Sequence, residues 1–69
     1  MTIFEEACAE MAARTGLTGR ELKAATYDDI ADGCDEIERA DPTAVASTPG
    51  FAGYLYREMA RKTRSGEIA

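Results

Sequence analysis

Apolar residues recur along the chain at spacings of three and four, and no run of four to eight residues alternates apolar with polar positions under β-branched enrichment. The pattern predicts an all-α chain. Thr2-Ile3-Phe4-Glu5 fits a capping box and Gly16 a stop, which bounds a first helix at about residues 3 to 15. Its projection puts Phe4, Ala7, Cys8, Met11 and Thr15 on one face and Glu5, Glu6 and Glu10 outside, with Glu10 and Arg14 spaced as an i, i+4 ion pair. Thr18 and Glu21 repeat the capping box, so a short second helix is expected over 19 to 25, burying Leu22 with help from Leu17. Thr26 followed by Asp28 and Asp29 reads as a third cap, opening a helix over 27 to 39 whose apolar stripe is Tyr27, Ile30, Cys34 and Ile37. Gly33 inside that stripe costs about 1 kcal/mol relative to Ala and marks either a weak point or a close helix crossing.

Residues 41 to 50 read as a connector, with Asp41 and Pro42 set for a single turn. With Thr48 as cap and Pro49 as first residue, a last helix is expected over 49 to 64, carrying Phe51, Ala52, Leu55, Tyr56 and Met59 on one side and ending before Gly66; the tail 67 to 69 should be loose. The expected architecture is a small helical bundle of three to four helices. Its expected core is Phe4, Met11, Leu22, Ile30, Ile37, Phe51, Leu55 and Met59.

Length changes this picture in one respect. The 69 residues make a single domain, and a chain so short buries only roughly 60% of the surface its unfolded form exposes, so a second copy is the expected means of completing the bundle. With 45% hydrophobic and 30% charged residues it is neither depleted enough for disorder nor apolar enough for a membrane span. The opening residues Met1 to Glu6 carry no basic stretch and no apolar run, which points to the cytoplasm. Cys8 and Cys34 lack metal or redox spacing and are expected reduced, as small apolar side chains.

Catalytic chemistry has little to work with. Histidine is absent, which removes the commonest general base and metal ligand, and neither GxxxxGK[ST] nor GxGxxG occurs. An enzyme is not expected, nor a metal or cofactor.

Thirteen acidic residues against eight basic ones give a net charge of −5, unevenly spread: residues 1 to 50 hold eleven acids and four bases, and residues 51 to 69 two acids and four bases. On a helix, Asp28, Asp29, Asp32, Asp35 and Glu36 fall within an arc of about 120° and about 12 Å of axis, opposite Ile30, Cys34 and Ile37. Five mutually repelling carboxylates are not what helix propensity alone selects, so the arc is the first candidate surface for a partner, one with basic side chains. Within it, Asp28-Asp29-Ile30-Ala31-Asp32 resembles the DDxxD element with which prenyltransferases and terpene synthases hold magnesium and pyrophosphate. Those enzymes need a large helical enclosure and a second acidic element. Neither fits here, and an EF-hand is excluded by Ile30 and Arg39 at ligand positions.

Three readings follow. In the first, the chain is a non-catalytic inhibitor or regulator that occupies a basic surface of a larger protein, in general character similar to small phage-encoded inhibitors, anti-CRISPR proteins among them, and to acidic DNA mimics. In the second, Ala12, Gly16, Leu17, Leu22 and Ala25 resemble the spacing of helix-turn-helix regulators, with Gly19, Arg20, Lys23 and Ala24 facing the groove and Arg20 and Lys23 reading bases. The charge of the surrounding chain opposes approach to phosphate, so direct nucleic-acid binding is the weaker expectation. In the third, Tyr54, Arg57, Arg61 and Arg64 on the last helix dock a partner in an assembly role, or the arginines pair with the acidic arc, within the fold or across a dimer.

Overall fold

The computed structural model describes residues 2–44 and 48–68, among which the chain forms three α-helices, one 3-10 turn and no strand. They are α1 (Ile3–Thr15), α2 (Gly19–Ala40), the turn Pro42–Ala44 and α3 (Phe51–Ser65). The class is all-α, and no described helix is long and apolar enough to cross a membrane.

Local chemistry sets most boundaries. Thr2 is extended and its hydroxyl oxygen accepts the Glu5 N–H at 3.1 Å, which forms the N-cap half of the expected box; the Glu5 carboxylate meets the Thr2 hydroxyl at 3.2 Å rather than its backbone amide. Gly16 closes α1 at φ 74°, a left-handed value that glycine adopts without strain, and donates its N–H to Ala12 at 2.9 Å. Arg14 does not pair with Glu10 but reaches across to Asp29.

The two short helices expected over 19–25 and 27–39 are one helix of 22 residues. Thr18 stands at the N-cap position without a side-chain cap bond, and its supposed box partner Glu21 is turned toward Arg64 instead. Thr26 is no cap: it is buried in the helix interior, where its hydroxyl donates to the Leu22 carbonyl at 2.8 Å and so needs no helix end to satisfy it. The helix also passes through Gly33 unbroken.

After α2, Asp41 accepts from the amide and hydroxyl of Thr43 at 3.1 and 2.6 Å, fixing the expected single turn. Positions 45–47 of the connector lie outside the described residues. The last helix starts at Phe51, two residues beyond the expected position, because Pro49 and Gly50 form a turn and Gly50, at φ 82°, donates its N–H to both Glu38 carboxylate oxygens at 3.0 Å. Nor is the stretch after α3 loose as far as Ile68. Glu67 and Ile68 donate their amides to Lys62, and the Glu67 carboxylate takes bonds from Ser65 and Arg61.

Packing departs furthest from expectation. α3 runs antiparallel to α2, as the order of their contacts shows: Glu38 meets Gly50, Asp35 meets Arg57 and Asp28 meets Arg64. The seam between them is built of small residues: Ala24 and Ala31 from α2, and Gly53, Ala60 and Thr63 from α3, are buried. Ile37, Phe51, Leu55 and Met59, expected in the core, are exposed, at 62%, 46%, 44% and 36%. The helices meet on their small faces, which leaves the large side chains beside the seam rather than in it. Gly53, not Gly33, marks the close crossing: a Cβ there would lie 2.5 Å from the Asp35 carboxylate, whereas one on Gly33 meets nothing within 4 Å. α1 lies across α2 and buries Met11, and a stack of rings ties the three helices together, Phe4 on Tyr27 at 4.8 Å and Tyr27 beside Tyr56 at 6.3 Å.

Candidate functional site

The seam sorts the flanks of the α2–α3 pair by chemistry. On one flank the acidic arc of α2 faces the arginines of α3. Arg57 donates to Asp35 at 2.7 Å and to Asp32 at 3.1 Å, Arg64 lies 2.9 Å from Asp28 and 3.7 Å from Glu21, and Arg14 of α1 lies 3.7 Å from Asp29. Four of the five arc carboxylates therefore have a guanidinium partner; Glu36 is exposed and has none among the described residues. The bond to Asp35, and next the bond to Asp32, raise the Arg57 pKa above its ordinary value, so this group is charged at any physiological pH.

The side chains stay wet. Asp32 is 74% exposed, and the paired groups keep outward-facing lone pairs and N–H groups. Six carboxylates (Glu21, Asp28, Asp29, Asp32, Asp35, Glu36) against four guanidinium groups (Arg14, Arg57, Arg64 and the exposed Arg39, which projects between Asp28 and Asp32) leave this flank with a net charge of −2.

Four of the arc carboxylates are turned to guanidinium groups rather than toward a common centre. The two ends of the DDxxD-like element, Asp28 and Asp32, are turned to Arg64 and Arg57, and among the described residues no group of three His, Cys, Asp or Glu side chains is placed to hold a metal. What the arrangement offers is fixed charge at fixed spacing on a solvent-facing surface.

The other sequence-derived sites fare differently. Tyr54 is exposed, but it is not joined by free arginines: Arg57 and Arg64 face α2, and Arg61 is bound to Glu58 and Glu67, chiefly by the Glu58 hydrogen bonds that raise its pKa. Arg20 and Lys23 are exposed on one side of the N-terminal part of α2 and flank a shallow hollow beside Gly66 and Ile68. Ala24, grouped with them as a groove-facing residue, is completely buried against the rest of the fold and cannot touch a base. Cys8 and Cys34 are free thiols, half-buried.

Arg14 and Glu21, read from the sequence as local partners of Glu10 and Thr18, join the ion-pair network between helices instead, and Glu38, which the sequence pattern did not single out, holds the amide of Gly50 at the start of α3. Only the pairing of distant helices reveals them, since Glu21 lies far in sequence from Arg64 and Glu38 from Gly50. Comparison with protein-family models, with curated proteins and with solved structures finds no match for this chain.

Proposed function

We propose that the chain is a non-catalytic protein-binding module, a small acidic inhibitor or regulator that works in the cytoplasm by covering a basic, nucleic-acid-binding surface of a larger protein, in the manner of anti-CRISPR proteins and DNA mimics. The observation that carries this reading is the net-negative flank of the α2–α3 pair, where six carboxylates outnumber four guanidinium groups on a solvent-facing surface. Negative charge concentrated there steers a basic surface toward it and disfavours acidic ones. The arginines help rather than hinder. By holding the carboxylates in place they reduce the side-chain entropy lost on docking, and the outward lone pairs remain for lysine and arginine of the partner. The working unit in this reading is a homodimer, because Met11, Ala24, Ala31 and Ala60 are a slender apolar core for a free-standing domain.

The test is capture of the partner by the immobilised chain from lysate of its source cells, beside a variant carrying Asp29→Asn, Asp32→Asn and Glu36→Gln, with mass spectrometry of what is held. A basic protein retained by the parent chain, released as salt rises from about 50 to 200 mM and lost with the variant, supports the reading. Retention unchanged in the variant sinks it and turns attention to Tyr54. Salt-sensitive binding of duplex DNA that Arg20→Ala and Lys23→Ala abolish replaces it with the helix-turn-helix reading.

A further inference from the structure

The flank opposite the ion pairs is apolar apart from Lys62, and beyond the reach of α1 it is uncovered. Projecting both helices from the contacts that fix their facing sides, with Asp35 and Arg57 on the charged flank and Tyr27 and Tyr56 on the other, puts Ile30 and Cys34 of α2 beside Ala52, Leu55 and Met59 of α3, with Ile37 and Phe51 at the rim. Phe51, Leu55 and Met59 form a row at i, i+4 and i+8 along α3. α1 covers only the Tyr27 end of it: the contacts of α1 with α2 run from Phe4 on Tyr27 to Arg14 on Asp29, and Ile37, Phe51, Leu55 and Met59 are left exposed.

We infer that a second copy of this chain covers this flank, with α3 packing antiparallel to α3 of the partner about a two-fold axis through Leu55. The inference rests on the homodimer reading above and names its face. Three observations select the second copy as occupant. The first is area. The chain as a whole exposes 4766 Å² where a compact monomer of 7.4 kDa is expected to expose about 4,200 Å², and on this flank Ile37, Phe51, Leu55 and Met59 stand together as exposed large apolar side chains.

The second is self-complementarity. A two-fold axis at Leu55 sets each Phe51 against the Met59 of the other copy, a ring against a thioether, and sets the two Leu55 side chains against each other. The third is charge. Each chain carries −5, so pairing is tolerable only where few charges meet. On this face the same axis places Glu58, already bonded to Arg61, opposite Ala52 of the other copy and Lys62 opposite Thr48, so neither meets a like charge, and the arc carboxylates point to the far flank. Docking here also leaves the net-negative flank of each copy open for a basic partner.

Sedimentation equilibrium from micromolar to millimolar concentration reads the mass directly. The expected result is twice 7.4 kDa for the parent chain and 7.4 kDa for Leu55→Asp with its helical circular dichroism unchanged, since Leu55 is half in solvent and a charge there does not disturb the monomer. A second measurement does not depend on that variant. In a Cys8→Ala, Cys34→Ala background, Leu55→Cys should form a disulfide-linked dimer under mild oxidation, while Glu36→Cys on the charged flank should not. A parent chain that stays monomeric at every concentration overturns the homodimer and this face together, leaving the basic-partner reading untouched. A dimer that survives Leu55→Asp, or that links through residue 36 and not through residue 55, overturns the face alone.

Discussion

The two seams of this molecule are built on opposite plans. Between α2 and α3 the contact is alanine, glycine and threonine, with Ala24 and Ala31 seven residues apart on one helix and Gly53 and Ala60 seven apart on the other. Between α1 and α2 it is large side chains, with Met11 buried and Phe4 stacked on Tyr27. Small residues bring two backbones close, so that each methyl group loses all its water and short side chains such as Asp35 can reach the neighbouring helix. Large ones hold a helix at a distance on a few wide contacts. The difference explains why the bulkiest apolar residues of α3 end outside the core: the face that fits closely is the face without them.

The severest way to break this contrast is to put bulk in the close seam. Ala60 is completely buried, and Ala60→Leu inserts three carbons where two backbones nearly touch, at a cost of about 3 kcal/mol, enough to lower the thermal midpoint of so small a domain by more than about 10 °C. Circular dichroism melting reads it; a midpoint within a few degrees of the parent would mean that the seam is looser than these contacts require. Next in size is the wide seam. Phe4 is half-buried against Tyr27, and Phe4→Ala should cost about 2 kcal/mol, less than burial in a full core would imply. The loss should be local as well: amide exchange in α1 should speed up while that of α2 and α3 barely changes. Equal acceleration in all three helices would show that the seams are one cooperative unit.

Much of this was legible in the sequence, and the parts that were not share a cause. The all-α class, the caps at Thr2 and Gly16 and the Asp41 turn follow from local chemistry, which acts within a few residues. Thr26 misleads because a threonine before two acids has two satisfactory states, as a cap or bonded back to the carbonyl four residues earlier, and only packing decides between them. The core misleads because hydrophobicity ranks residues by what they gain on burial, whereas the α2–α3 seam is chosen by how near two helices can come. The seven-residue spacing of Ala24 with Ala31, and of Gly53 with Ala60, is the signal that was present. For the acidic arc, the sequence gives its position and the facing arginines; that Arg57 takes Asp32 and Asp35 while Arg61 stays on its own helix depends on the rotation of α3, which no local rule sets.

Threonine sharpens the comparison: Thr63 lies in the close seam, whereas Thr26 projects about 150° from Ala24 and Ala31, on the side of α2 that meets α1. Thr26 and Thr63 are both buried, but the Thr26 hydroxyl is bonded to Leu22 and the Thr63 hydroxyl has no partner. Thr63→Val keeps the shape and removes an unsatisfied polar group, so it should stabilise by about 1 kcal/mol, whereas Thr26→Val gives up a made bond and should bring no gain. Chemical denaturation of the two variants side by side checks the sign; destabilisation by Thr63→Val would show that its hydroxyl is satisfied in solution.

The smallest effect is expected on the charged flank of that same seam. Asp35→Asn leaves a side chain of the same size against Gly53 and keeps Asp32 within reach of Arg57, so it removes one charge from a pair that is already partly wet. The midpoint should fall less than for any of the other destabilising changes. The dependence on salt carries the information: raising ionic strength from about 0.1 M to 1 M shortens the screening length from about 10 Å to about 3 Å, which should lower the parent chain toward the variant until the two melt together. If the gap persists at high salt, Asp35 acts through its hydrogen-bond geometry against Arg57 and the close approach at Gly53, and the charge of the arc contributes little to holding α3 in place. In that case the carboxylates are free, energetically, to be given to a partner, since the fold would not depend on how their charge is neutralised.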